Sequence, residues 1–337
     1  MSAHPLLAPL QAIHRRIRDA VVAQTEQAAV DSLSHIHADD EGDTIYAIDK
    51  VAEDVLVDAI DLEIARVHGP VALVAEGLHG GRVLLPRGTA ESDVVWTVIV
   101  DPIDGTRGVM YQKRPAWVLT GVARRGAGAT LADIELAVQT EIPLVKQHLC
   151  DELWAVRGAG ATAVRVNRLT GDYVDLSLRP SPSPTLAHGF ATIARFFPGI
   201  RAELAELDDE IVATLLGPPT PGKAQLFEDQ YISSAGQMYE LICGHDRFVA
   251  DLRSIAKPRH APDARPGPAL CCHPYDLCAE LIARECGVVV TDERGEALRA
   301  PLNVDADVSW VGYANATLHS TVAPVLSQAL RDRGWIA

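Results

Sequence analysis

The chain has 337 residues, 48% of them hydrophobic, and a formal net charge of -15. That is enough apolar material for one large unit or two intimately packed ones, and the acidic balance excludes nucleic acid as the main partner, because a phosphate backbone demands a basic footprint. No apolar run approaches the roughly 18 residues of a membrane span, so no membrane partner and a cytoplasmic location are expected.

Residues 5–28 carry Leu6, Leu7, Leu10, Ile13, Ile17, Val21 and Val22 at helical spacing, which predicts an amphipathic first helix. Its basic residues follow the apolar ones and no small-residue cleavage site is present, so it is not expected to be a signal peptide. A polar connection over 34–43 leads to a second helix from about Asp49 to Val67. A short strand at Val71–Ala75 ends at Glu76-Gly77, and Leu78–Asp93 has the composition of a loop or hairpin. The apolar, β-branched run Val94–Val100 is that of a strand buried on both faces. Strands follow at Trp117–Ala123, Leu131–Thr140, His148–Val156, Tyr173–Leu178 and Ala187–Phe197. Arg-Gly-Ala-Gly-Ala-Thr occurs at 125–130 and again at 157–162; each copy is expected to be a tight glycine turn, since neither precedes a helical pattern.

Later helices are expected at Gly199–Leu216, Ser233–Cys243 with Ser233 or Ser234 as cap, Pro274–Glu285 and Ala316–Leu330, with short strands at Phe248–Ala250, Gly287–Thr291 and Val308–Tyr313. Lys257–Pro268, rich in proline and basic residues, is expected to be an exposed loop. Mixed elements without a regular βαβ beat favour α+β or layered α/β.

The chemistry concentrates where the central strand ends, in Asp101-Pro102-Ile103-Asp104-Gly105-Thr106. Two carboxylates at the end of a buried strand are costly to desolvate unless a cation meets them. Gly105-Thr106 then offers backbone N–H groups where a short helix can start, which suits an anion. Hard cations beside an anion-binding turn point to phosphate chemistry, and bound metals would let so acidic a chain accept a small phosphate ester. The six cysteines are irregularly spaced, which favours reduced thiols over a disulfide frame. Cys271-Cys272-His273 with Cys278 and Cys286 has the composition of a zinc cluster, but Cys278 and Cys286 fall within and at the end of an apolar helix, where cysteine serves as a small core residue.

Asp101–Thr106 resembles the signature of the inositol monophosphatase family, grouped with fructose-1,6-bisphosphatases in a superfamily of Mg²⁺-dependent, lithium-sensitive phosphatases. Asp49-Lys50-Val51-Ala52-Glu53, Ala75-Glu76-Gly77, Ser233-Ser234-Ala235 and Tyr275-Asp276-Leu277 followed by Glu285–Asp292 resemble its other motifs, in the same order. The resemblance implies an alternating αβαβα sandwich of the sugar-phosphatase type, here with an N-terminal half over 1–180 that carries the metal motifs. A C-terminal half over 181–337 would complete the metal site and substrate pocket. It implies two or three Mg²⁺ ions per site: Glu76, Asp101 and the Ile103 carbonyl around the first, Asp101, Asp104 and Asp276 around the second, and Glu76 reaching a third. It gives Thr106, Asp49 and Glu76 catalytic roles, and makes Gly105, Thr106, Ser233, Ser234 and Asp276 contacts to a small phosphorylated substrate. A homodimer is also implied.

The chain departs from that pattern in ways that bear on substrate. Gly77 stands where the family has a second glutamate, so a third metal is expected to bind more weakly. Tyr275 replaces the usual tryptophan. The position of the acid that often binds inositol hydroxyls falls on Ala250, with Asp251 beside it. Arg195, Arg201, Lys223, Lys257, Arg259 and Arg265 are candidates to meet a second phosphate, or are surface charge. Two rival readings are a haloacid-dehalogenase-type phosphatase, whose first aspartate is phosphorylated, and a non-catalytic regulatory protein with this fold. The two acids here stand three apart rather than two, and Glu76 precedes them.

Overall fold

Along the strand Trp96–Asp104 the side chains alternate between two cores: Trp96, Val98 and Val100 on one side, Ile99 on the other. Its neighbour Ala116–Arg124 alternates likewise, with Val118 and Val122 in the first core and Trp117 and Leu119 in the second. A strand with period two and apolar residues at every step must be covered on both faces. The rest of the architecture supplies the covers.

The computed structural model describes residues 4–27, 36–40, 43–46, 52, 55–124, 128–258 and 270–337, with backbone alone for 36–40 and 43–46. In chain order come α1 (Leu7–Gln27), the paired strands β1 (Ile36–Asp40) and β2 (Asp43–Tyr46), a π-helical turn Ile60–Ala65 running into Arg66–His68, β3 (Val71–Ala75), β4 (Arg82–Leu85) and β5 (Trp96–Asp104). Next are α2 (Thr106–Met110), β6 (Ala116–Arg124), β7 (Leu136–Ile142), β8 (Leu149–Val156), β9 (Ala161–Asn167), β10 (Tyr173–Asp175) and β11 (Phe190–Ile193). The remainder is α3 (Arg201–Leu216), α4 (Ser234–Ile242), β12 (Asp246–Asp251), α5 (Leu281–Glu285), β13 (Val289–Thr291), β14 (Trp310–Tyr313) and α6 (Ala316–Asp332).

Strands β3–β10 form an eight-stranded sheet in the order β10-β9-β8-β7-β6-β5-β3-β4, and β11–β14 a four-stranded one in the order β11-β12-β14-β13. Helix α1 and the segment ending at His68 cover the outer face of the large sheet. Helices α4 and α5 lie between the two sheets, and α3 with α6 covers the far face of the small sheet. The order of layers is αβαβα. Among the described residues no helix is long and apolar enough to cross a membrane.

Several elements differ from the sequence expectation. The expected polar connection over 34–43 contains β1 and the start of β2, where Ile36, Thr44, Ile45 and Tyr46 favour extended backbone over the surrounding polar composition. Residues Ala161–Asn167 form a full strand that polar residues on one face had masked. The expected helix Pro274–Glu285 is two pieces, α5 and a 3₁₀ turn at Pro274–Leu277 whose start is capped by the Asp276 carboxylate on the His273 N–H. The second glycine repeat is a turn, as expected. Its Gly158 and Gly160 N–H groups donate to the Glu285 carboxylate at 2.7 and 2.8 Å, which anchors the end of α5 to the large sheet.

Helix α1 buries a histidine that titrates in the unfolded chain near neutral pH. His14 is fully enclosed, with ring nitrogens 2.7 Å from Thr120 Oγ1 and 3.1 Å from Thr140 Oγ1. Burial pushes its pKa down to about 3, so it is uncharged in the fold at neutral pH. The unfolded chain protonates it near 6.5, binds the extra proton, and gains ground as pH falls from there towards 3. Between pH 7 and pH 5 this group should remove about 2 kcal/mol of stability. Denaturant unfolding at both pH values should show that loss shrink by about this amount in His14→Gln; an equal loss in both proteins would contradict it.

Candidate active site

Side chains three apart on a regular strand point to opposite faces. The β5–β6 ladder breaks between Asp101 and Asp104: Asp101 pairs with Leu119 and Asp104 with Trp117, so three steps on β5 match two on β6. Trp117 and Leu119 both face the inner core. The bulge therefore turns both carboxylates to the inner side, which is how bulges commonly serve functional sites. Pro102 has no N–H for the ladder, and the Ile103 N–H donates to Asp101 Oδ1 at 2.9 Å.

Strand β3 runs parallel to β5 with Ala75 opposite Val100, so Glu76, the next residue, arrives beside Asp101. Asp276 comes from the inner layer on the 3₁₀ turn, where its carboxylate accepts from the His273 N–H at 2.6 Å. The residues following Asp276 press hard on β6: a Cβ on Gly121 would lie 2.5 Å from the Cys278 carbonyl and 2.6 Å from Ile134 Cδ1. Only glycine lets the turn come this close. Carboxylate oxygens of Asp101, Asp104 and Asp276 all lie within 4.8 Å of one another, and Glu76 lines the same pocket.

This arrangement is electrostatically unstable by itself. Asp101 is 2% exposed and Asp104 7%. Burial, then Asp104, Asp276 and Glu76, hold the Asp101 carboxyl well above the usual carboxylate range. Burial and Asp104 do the same to Asp276. Asp104 is raised to about 6 by burial, against the opposing hydrogen bonds of the Ala235 N–H and the Ser233 hydroxyl. Buried like charges of this kind need protons or a cation. All the donors are hard oxygens, which fits a divalent ion of the magnesium type.

Beside the carboxylates the chain turns through Gly105, at φ +95°, into α2. A Cβ there would meet Ser233 Cβ at 3.1 Å, in a backbone region that side chains disfavour. Thr106 Oγ1 donates to the Ile103 carbonyl at 2.9 Å. Ser233 caps α4, accepting from the Gly236 N–H at 2.8 Å and donating to Asp104 Oδ2 at 2.9 Å, so it holds Asp104 in place. Ser234 Oγ lies 3.4 Å from Cys272 Sγ.

The pocket brings together Glu76, Asp101, Ile103, Asp104, Gly105, Thr106, Ser233, Ser234 and Asp276. Asp49, Glu53, Arg259 and Arg265 lie outside the described residues. Arg195, Arg201, Lys223 and Lys257 do not line the pocket; Arg195 is engaged by Asp208 and Glu228.

The far wall was not anticipated from sequence. Phe196 and Phe197 form an edge-to-face pair, centroids 5.3 Å apart, with the Arg253 guanidinium 4.5 Å from the first ring and 5.3 Å from the second. Arg253 is gripped by Asp251 through Nε at 2.8 Å and Nη2 at 2.5 Å. Asp251, fully buried, thus meets the pocket only through Arg253, and Ala250 is packed inside β12. The Asp-x-Arg spacing at the end of β12 was the available signal; its aromatic partners stand more than fifty residues away.

No family model matches the chain, and a comparison with curated proteins finds no match. Solved structures do match. The extragenic suppressor protein suhB of Bartonella henselae superposes with a TM-score of 0.64 at 15% identity, covering 96% of this chain and 99% of that one. The IMPase of Thermotoga maritima gives 0.59 at 16%, covering 96% and 97%. The holo fructose-1,6-bisphosphatase of Leishmania major gives 0.64 at 12%, covering 97% and 93%. The chain has the fold of these solved structures, an IMPase and a fructose-1,6-bisphosphatase among them.

Two outcomes follow. For the carboxylates the folded pKa lies above the unfolded one, so metal-free protein loses stability from this cluster as pH rises from about 4 through about 6. Mg²⁺ should therefore raise the melting temperature more at pH 8 than at pH 5, and Asp104→Asn should abolish the difference; a pH-independent Mg²⁺ effect would count against the cluster. Separately, Arg253→Met should cost about 3–5 kcal/mol by stranding Asp251 in the core, and Asp251→Asn added to it should recover part of that in denaturant unfolding.

Proposed function

We propose that the chain is a Mg²⁺-dependent phosphomonoesterase acting on a small phosphorylated sugar, inositol or related alcohol. The observation that carries this reading is the bulged end of β5, where two carboxylates join a third, from a separate turn, within 4.8 Å. The fold shared with solved phosphatases supports it.

Asp101, Asp104, Asp276, Glu76 and the Ile103 carbonyl would hold two or three Mg²⁺ ions. Bound there, Mg²⁺ supplies positive charge that polarises the phosphoryl group, activates water and steadies the leaving oxygen. The protein's own groups do the rest. The Gly105 and Thr106 backbone N–H groups seat the phosphate, as preorganised donors facing charge that spreads over its oxygens. The Thr106 hydroxyl proton is directed to Ile103, so towards the attacking water its oxygen acts as acceptor. That polarity orients the water, and Asp49 with Glu76 takes up its proton. Ser233, Ser234 and Asp276 form the substrate-facing floor. The apolar face of a sugar or cyclitol ring fits the Phe196–Phe197 wall, and Arg253 behind it favours a substrate with further oxygens or a second anionic group.

A phosphate-release panel of sugar, inositol and nucleotide monophosphates, with and without Mg²⁺, tests the reading. Mg²⁺-dependent release is expected, reduced about 10²-fold or more in kcat by Thr106→Ala and lost in Asp104→Asn. Metal-independent release, or equal rates in wild type and Asp104→Asn, would sink it.

A further inference from the structure

All six cysteines are free thiols, and the proposed hydrolysis uses none of them. One is placed unlike the others. An antiparallel bridge between Cys272 and Val308 holds two extended segments side by side, the Val308 N–H donating to the Cys272 carbonyl at 2.8 Å. In extended backbone, alternate residues share a face. Cys272 and Val308 turn inward and are buried. Cys271 and His273 therefore turn the other way, and Asp307 joins them from across the bridge. Cys271 Sγ, a ring nitrogen of His273 and a carboxylate oxygen of Asp307 all lie within 4.8 Å of one another.

A thiol, an imidazole and a carboxylate differ in kind from the all-oxygen set of Asp101, Asp104 and Asp276. Three such ligands with an open fourth position are the donor set of a zinc site. The His273 ring is held in place, with Nδ1 3.1 Å from the Ala306 carbonyl and its face stacked on Tyr275 at 5.4 Å and 25°. A backbone carbonyl on one ring nitrogen is the usual support of a metal-ligating imidazole. The Cys271 thiol donates to Asp307 Oδ1 at 3.0 Å. Metal binding replaces that proton, which leaves to solvent, and both atoms then face the ion. Cys271 and His273 are half-buried and Asp307 is exposed, so an ion reaches them from solvent.

We propose that Cys271, His273 and Asp307 form a second metal site, selective for zinc and separate from the carboxylate cluster. Cys271 and His273 line the pocket that holds Asp101, Asp104 and Asp276, and the His273 N–H holds the Asp276 carboxylate. Zinc bound here fixes the segment that carries Asp276. The site stands independently of the phosphatase reading, because its occupancy is read without turnover.

Cobalt(II) titrated into the reduced, full-length, Mg²⁺-saturated protein tests it by absorbance. One equivalent should produce a sulfur-to-cobalt charge-transfer band in the near ultraviolet, bleached by added zinc. Cys271→Ser should lose the band, Asp307→Ala should weaken cobalt affinity about tenfold or more, and Asp104→Asn should keep the band. No charge-transfer band in wild type, or a band that survives Cys271→Ser, overturns the site. Asp307 is exposed, so Asp307→Ala decides the matter even if Cys271→Ser does not fold: unchanged cobalt affinity there overturns the proposal as well.

Discussion

Three carboxylates crowded together, Asp101 and Asp104 buried and Asp276 half-buried, are the constraint to which the rest of this structure answers. Each would be costly to bury alone, and together each raises the others' affinity for protons. A fold keeps such a cluster only if its backbone over-determines the positions and protons or a cation relieve the repulsion. The β5 bulge, the parallel register of β3 and the capped turn at Asp276 are three independent devices that converge on one point.

The layers explain why they converge there. Among the described strands of the large sheet only β3 and β5 pair in parallel. Their ends therefore reach the same edge, where loops from two neighbouring strands can meet. The inner layer lies between the sheets, so the cap of α4 and the turn before α5 both reach that edge from behind. Ser233 links the two sides, capping a helix with one hydrogen bond and holding Asp104 with another. Packing, capping and electrostatics thus share residues, and a change in one carries to the others.

Much of this was legible in sequence because its signals are local. A β-branched run announces a doubly covered strand, and Asp-Pro-Ile-Asp-Gly-Thr announces acids beside an anion turn. The order of the remaining motifs pointed to the layered fold. The bulge was not legible, since it lies in the pairing of two strands rather than in either one. Nor was the aromatic and guanidinium wall: Phe196, Phe197 and Arg253 meet only through tertiary packing, and the role of Asp251, beside the position that falls on Ala250, is visible only once Arg253 two residues on is seen to pair with it. The bridge that gathers Cys271, His273 and Asp307 is likewise a meeting of segments distant in sequence.

The bulge places Asp101 and Asp104 beside Asp276, where a divalent cation would meet all three. Anomalous scattering from crystals grown with Mn²⁺, a stand-in for Mg²⁺ on oxygen ligands, tests it directly. A strong peak bounded by the carboxylates of Asp101, Asp104 and Asp276 is expected. Manganese-saturated crystals with no peak there, and three carboxyl groups bonded to one another through protons, would contradict it.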